Sequence, residues 1–322
     1  MMKAKSRQFP GEFSLSNPDK LMYPTGFAKA DMLDYYVRIS SFLLPYLKNR
    51  PITLKRFPEG VGGEHFYEKN APAFTPDWVR THPVRRASGE AMINYVLIND
   101  LATLAWGVNL ANIEIHPLLA KVPYLNRPTM LVFDLDPGEG ADILSACEAA
   151  LLVKDLLDRL NLESFAKVSG SKGIHLHIPL NRPVTYEMTQ PFARSIAQLL
   201  ETENPDLVVS EMGKDKRKGR VFLDWSQNSE YKSTVAVYSL RAKADSPFVA
   251  APVTWEEVEK ALRLRDPSLL FFKPSECLAR VEKAGDLFAP VLRLKQKLPK
   301  AFLDLPANPE PKTSSTTGRA GR

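Results

Sequence analysis

At 322 residues, with 44% hydrophobic and 25% charged residues, the chain has the make-up of a globular protein able to bury one large core or two ordinary ones. No apolar run approaches a membrane span, the start Met1-Met2-Lys3-Ala4-Lys5 lacks the apolar core of a signal peptide, and two distant cysteines, Cys147 and Cys277, support neither a zinc site nor a disulfide framework and fit a reducing cytoplasm. A net charge of +6 suits a polyanionic partner.

Residues 1–13 read as a basic lead-in. Apolar positions at helical spacing (Met32, Tyr35, Tyr36, Ile39, Phe42, Leu43, Leu47) predict a helix over 28–48. Residues 52–57 read as a strand stopped by Pro58, and 59–90 as loop. A strand over 93–98, a helix over 101–112 and a short strand over 113–116 precede a proline-bounded loop. The next strand, from Met130, ends in Asp134-Leu135-Asp136-Pro137, and an amphipathic helix follows over 142–160. Residues 165–169 and 174–179 read as strands around a tight glycine turn. A helix near 187–202 leads to strands near 207–210, 220–224 and 234–239. Thr254-x-x-Glu257 is a capping box opening a helix toward Leu264. Beyond Leu298, Pro, Ser, Thr and Gly with basic ends predict a disordered basic tail over 299–322. One unit is expected over 14–298. Mixed elements with polar residues from distant segments predict an α+β fold, a central, mostly antiparallel sheet flanked by helices.

The string Met130-Leu131-Val132-Phe133-Asp134-Leu135-Asp136-Pro137-Gly138 is the most informative. Side chains alternate along a strand, so Asp134 and Asp136 project to one side. Two carboxylates that close repel, and one tends to keep its proton unless a cation lies between them. Magnesium or manganese, hard ions that take oxygen ligands, resolves that conflict. The alternative is a strand-end turn in which either acid caps the following helix.

Ser169-Gly170-Ser171-Lys172-Gly173-Ile174-His175-Leu176-His177 makes a loop whose backbone N–H groups can approach an anion, with Lys172 adding charge and His175 opening the return strand. The spacing is not that of a P-loop, and an ordinary tight turn is the plainer reading. His177 reads as support for its neighbour. In Arg220-Val221-Phe222-Leu223-Asp224-Trp225-Ser226-Gln227-Asn228, Asp224 is an acid in an apolar strand and needs a partner. That partner is either a cation shared with Asp134 and Asp136, or Arg217 or Arg220 from the basic run just upstream. Arg241 ends another strand and offers phosphate a planar fork. The set suits two-metal phosphoryl transfer. A non-catalytic binding module has no use for three clustered acids beside a polyanion, and a metal-dependent nuclease needs no triphosphate cradle.

The strings F-D-L-D-P, S-G-S-K-G-I-H and D-W-S-Q-N, in that order, resemble the three motifs of the archaeo-eukaryotic primase superfamily, and in particular the polymerase domain of bacterial ligase D, over about residues 9–298. The resemblance implies a primase-polymerase fold with an RRM-like catalytic half. It implies two Mn2+ or Mg2+ ions held by Asp134, Asp136 and Asp224. It also implies an NTP or dNTP seated on Ser169, Lys172 and His175, with Arg217, Gln227 and Arg241 assisting. Asn17-Pro18-Asp19-Lys20, Tyr23-Pro24 and Lys29 resemble that family's pocket for a downstream 5′-phosphate, with Asn17, Lys20 and Lys29 at the matched positions. Phe66-Tyr67 resembles its aromatic pair that stacks on the template end, core packing being the alternative. His116 matches a family position near the active centre. The activity implied is template-dependent nucleotide addition at 5′-phosphorylated gaps and broken DNA ends in non-homologous end joining. Ku and a separate ATP-dependent DNA ligase are the partners expected, in the cytoplasm at the nucleoid. A primase or translesion primase-polymerase of replication is the alternative. No K-x-D-G nucleotidylation motif occurs, so a free-standing polymerase module is expected.

Overall fold

In the computed structural model, which describes residues 14–85, 89 and 91–299, the first helical pattern folds as α1 (Lys29–Leu47). Its Met32, Tyr35, Tyr36, Ile39, Leu43 and Leu47 form the buried stripe that the spacing predicts. The chain then lays down β1 (Ile52–Arg56), β2 (Phe66–Glu68), β3 (Thr81–Arg85) and β4 (Met92–Val96), and, after α2 (Leu101–Asn109), β5 (Asn112–Pro117). These five strands form one antiparallel sheet in which β1 pairs with β5, β2 and β4. The loop expected over 59–90 thus contains two strands. Both lie toward the sheet edge with mostly exposed side chains, so they carry no apolar alternation to read. A hairpin of β6 (Ala120–Lys121) and β7 (Tyr124–Pro128) stands where a proline-bounded loop was expected.

The second sheet starts at β8 (Met130–Pro137). Then come α3 (Ile143–Arg159), β9 (Phe165–Val168), β10 (Ile174–Pro179), α4 (Tyr186–Glu203), β11 (Val208–Val209) and β12 (Val221–Asp224). The spatial order is β11-β12-β8-β10-β9, extended at the β9 edge by β15 (Pro252–Val253). The β-α-β-β-α-β succession of β8, α3, β9, β10, α4 and β12, with antiparallel pairing throughout, is the RRM-like half; only β11 and β12 run parallel. β13 (Leu240–Arg241) and β14 (Phe248–Val249) form a small separate pair, and α5 (Trp255–Leu264) and α6 (Pro274–Ala284) follow. The architecture is α+β with antiparallel sheets and six helices among the described residues; two main sheets replace a single central one. No described helix is long and apolar enough to cross a membrane. The lead-in over 1–13 and the tail from residue 300 lie outside the described residues.

Residues 234–239, expected as a strand, are not one. Val235, Ala236, Val237 and Tyr238 are buried, which gives the apolar run its strand-like look. The segment instead runs along β5 with sparse bonds, Thr234 N–H to Pro117 at 3.3 Å and Ala236 N–H to Ile115 at 2.9 Å, then turns at Tyr238 with φ +66°.

β8 needs support where β12 ends beside it. Asp224 is the last β12 residue, paired with Asp134, so Val132 has no β12 partner. Asn228 takes that place with its side chain. Its Oδ1 accepts from the Val132 N–H at 2.8 Å and its Nδ2 donates to the Val132 carbonyl at 2.7 Å. The amide acts as one more rung of the ladder, inside a core that leaves Asn228 wholly buried. Asn228→Ala strands both backbone groups and is expected to lower stability by about 2–3 kcal/mol, read as a reduced midpoint in urea unfolding.

Candidate active site

Strand register assembles the site. Asp134 on β8 pairs with His175 of β10 on one side and Asp224 of β12 on the other, and His175 pairs onward with Lys167 of β9. Directly opposed residues share a face, so Lys167, His175, Asp134 and Asp224 stand in one row, with Asp136 two residues along. His175 Nε2 lies 3.3 Å from Asp134 Oδ1, and its Nδ1 lies 3.0 Å from the Thr234 hydroxyl. His177 stacks beside it, ring centroids 6.4 Å apart. The cap of α3 is Asp142, which accepts from the Leu144 and Ser145 N–H groups, so neither Asp134 nor Asp136 is used as a helix cap.

Crowding shows in the proton affinity of Asp134. Burial, followed by the Asp224 and Asp136 charges, pushes its pKa up to about 7, against a pull from Lys167 and Arg241. Lys167 is fully buried with no hydrogen-bond partner for its Nζ among the described residues, and burial pushes it down to about 7. Burial also holds His175 well below its ordinary value, in the neutral form. Among the described residues no three His, Cys, Asp or Glu side chains are already drawn into a cage. The Asp224 carboxylate instead accepts from Ser226 N–H at 2.9 Å, Ser226 Oγ at 2.6 Å and Gln227 Nε2 at 2.9 Å. Arg217 lies 3.8 Å from Asp136. Three carboxylates that strain against one another, without thiolate, are a donor set that fits a hard divalent cation.

The glycine-rich loop sits beside the acids. Ser169 Oγ accepts from the Ser171 N–H at 3.3 Å and the Gly173 N–H at 3.2 Å, which pins the turn from within. Gly170 has φ +69°, and a Cβ there would meet the Arg241 side chain at 2.5 Å; only glycine lets the loop lie on that arginine. Exposed Lys172 donates to the Gly138 carbonyl at 3.3 Å. A cleft of about 360 Å3 is lined by Asp134, Asp136, Ser169, Lys172, His175, Gln227 and Arg241, and by Tyr67 and His116 from the first sheet. Asp224 and Arg217 border this cleft through Asp134 and Asp136 rather than lining it.

The remaining candidates lie on the first sheet and its approach. Phe66 and Tyr67 are 48% and 59% exposed, so core packing is not their role. As successive strand residues they face opposite ways, and Tyr67 alone of the two lines the cleft. Asn17, Lys20 and Lys29 gather at the N-terminal end of α1, where Lys20 N–H bonds the Asn17 carbonyl and Lys29 N–H the Lys20 carbonyl. Lys20 is paired with Glu59 at 2.8 Å, and the Lys29 ammonium donates to the Ser16 carbonyl and hydroxyl at 2.9 and 3.0 Å. Burial, then Lys20 and Arg56, lowers the Lys29 pKa. Sequence reasoning missed Lys167, Thr234, Lys55 and Glu114. For Glu114 a signal existed: an acid between Ile113 and Ile115 in an apolar strand, the same cue that singled out Asp224.

Comparison with known proteins follows the same outline. The family model described as LigD, primase-polymerase domain, matches residues 28–288. The chain is 42% identical over 280 residues to the multifunctional non-homologous end joining protein LigD of Mycolicibacterium smegmatis, covering 86% of this chain and 36% of that protein. It is 35% identical over 272 residues to the bifunctional non-homologous end joining protein LigD of Bacillus subtilis, covering 84% and 42%. It therefore spans less than half the length of these curated relatives. The polymerase domain from Mycobacterium tuberculosis ligase D, solved in complex with DNA, matches with a TM-score of 0.80 at 39% identity, covering 88% of this chain and 99% of that one. Matched from the first turns of α1 to beyond α6, the chain belongs to the LigD primase-polymerase domain family.

Proposed function

We propose that this chain is a DNA-directed nucleotidyltransferase that adds ribo- or deoxynucleotides, template-directed, at 5′-phosphorylated gaps and broken ends in non-homologous end joining. The observation that carries the reading is the pairing of Asp224 with Asp134, with His175 and the glycine loop on the opposite flank. Asp134, Asp136 and Asp224 are the residues to hold two Mn2+ or Mg2+ ions, which when bound supply the Lewis acidity for attack by a 3′-hydroxyl and departure of pyrophosphate. Lys172, Arg241 and Arg217 supply positive charge to the triphosphate, and neutral His175, steadied by Thr234, offers a ring N–H. Ser169 keeps the loop amides in place, and Gln227 spans the cleft edge and Asp224.

Tyr67, with Phe66 on the other face of β2, offers rings to the template end. Asn17, Lys20 and Lys29 receive the downstream 5′-phosphate, where two ammonium groups suit a terminal dianion better than a diester. Lys20 then exchanges Glu59 for phosphate. The relatives' names place them in end joining; Ku and a separate ATP-dependent ligase are the partners this reading proposes, at the nucleoid.

Gap filling is the direct test: purified protein, 5′-phosphorylated gapped DNA, Mn2+ and each nucleotide type in turn. Asp134→Ala or Asp224→Ala is expected to abolish addition while DNA-end binding persists; loss of both would point to a structural role. Lys20→Ala combined with Lys29→Ala is expected to equalise affinity for phosphorylated and hydroxyl ends, measured by competition binding.

Proton linkage gives a test independent of turnover. Folded Asp134 holds its proton more tightly than the unfolded chain does, so metal-free stability falls as pH rises from about 4 through about 7. Asp134→Asn removes that penalty. In EDTA at about pH 8 the variant is expected to melt about 2–4 °C above the unmutated protein. Mn2+ is expected to raise the melting temperature of the unmutated protein and to raise that of the variant far less.

A further inference from the structure

We infer that Glu114, which does not line the cleft, is a positioning residue that couples the nucleotide seat to the template platform. The inference rests on the nucleotide-binding reading of Arg241 given above. Glu114 sits on β5 opposite Lys55 of β1 and has no exposed surface. Its Oε1 lies 3.4 Å from Lys55 Nζ and 3.6 Å from Arg241 Nε, and accepts from the Ala242 N–H at 3.0 Å. Its Oε2 lies 2.9 Å from His116 Nε2. One carboxylate therefore gathers groups from β1, β5, β13 and the residue after β13.

Each arm leads to a different part of the site. Lys55 Nζ stands 5.1 Å over the Tyr67 ring, and the His116 ring meets Tyr67 edge-on at 5.9 Å, so two arms brace the template-facing aromatic. The third arm holds Arg241, whose stem lies against Gly170 in the phosphate loop and whose carbonyl accepts from the Tyr23 hydroxyl at 2.8 Å. A buried carboxylate survives as an anion only with compensation. Burial works to raise the Glu114 pKa, yet the His116 hydrogen bond, Arg241 and Lys55 together hold it well below the carboxylate range. His116 stays below its ordinary value under burial. Two cations against one anion leave a surplus positive charge beside the cleft. The geometry of that charge depends on Glu114, because β5 and β13 belong to different sheets.

The test is a mutant cycle read by steady-state kinetics with dATP or ATP opposite template thymine, in Mn2+. Glu114→Gln keeps the shape and removes the charge. It is expected to raise nucleotide KM roughly tenfold with kcat changed less than about threefold, and to weaken discrimination against mispaired nucleotides. In an Arg241→Ala background the same change is expected to add almost nothing, because both act through one guanidinium. An unchanged KM, with activity lost only in proportion to the folded fraction, would overturn the inference, as would effects that multiply independently. If Glu114→Gln fails to fold, Lys55→Met serves. Lys55 is outside the cleft, so a raised KM that vanishes beside Arg241→Ala supports the coupling, and an unaltered KM refutes it. An Arg241→Ala protein with normal KM would overturn the nucleotide seat itself, and the inference with it.

Discussion

Mutual repulsion among Asp134, Asp136 and Asp224 is the constraint around which the catalytic half is arranged. Strand register places Asp224 beside Asp134, and pleat places Asp136 on the same side. Lys167 and Arg241 offset that charge only in part. The result is an Asp134 that holds its proton near neutral pH and an Asp224 that turns its oxygens into hydrogen bonds with Ser226 and Gln227. In the proposed reading, a divalent cation held among the three carboxylates relieves that repulsion. Asn228 matters for the same reason, since it secures the stretch of β8 just before the acids.

Around the acids, positive charge is layered by depth. Lys172 is at the surface of the cleft, Arg241 lies beneath the loop, and Lys167, whose hold on its proton burial weakens, is wholly buried in the row. Arg217 is kept beside Asp136 with its guanidinium 3.7 Å over the Phe222 ring. Gly138 permits this arrangement, because a Cβ there would collide with the Arg217 carbonyl at 1.8 Å. An anion entering the cleft thus meets charge that is already oriented, at little further cost in ordering side chains.

Legibility in the sequence followed locality. α1, α3, α4 and the strands β8, β9, β10 and β12 were readable because helical periodicity and short apolar runs are local signals. The site strings were readable because Asp134 and Asp136, or Gly170 through His175, lie within a few residues of one another. What escaped depends on distant pairing. β2 and β3 are exposed strands that only their neighbours define, and 234–239 copies the look of a strand because it is buried between layers. Lys167 was passed over since nothing nearby in sequence shows that it pairs with His175. Glu114 gave the same cue as Asp224, but its partners Lys55 and Arg241 lie 59 residues before it and 127 after it in the chain.

In the proposed reading the two sheets divide the work, and a buried charge cluster joins them. The first sheet presents Tyr67 and His116 to the cleft, and the second presents Asp134, Asp136 and the glycine-rich loop. A polymerase site must respond to template and triphosphate together, or it gains nothing from having both. Apolar packing between sheets could hold them at a fixed distance, yet would not transmit the loss of one positive charge. Under the coupling inferred for Glu114, a single carboxylate shared by Lys55, His116 and Arg241 transmits it, because releasing any one partner leaves the others facing an altered buried charge. Replacing a buried ion cluster by hydrophobic residues of similar volume is often neutral or stabilising, so such a cluster is weak evidence of stability. The ionic cluster is therefore better explained by what it orients than by stability.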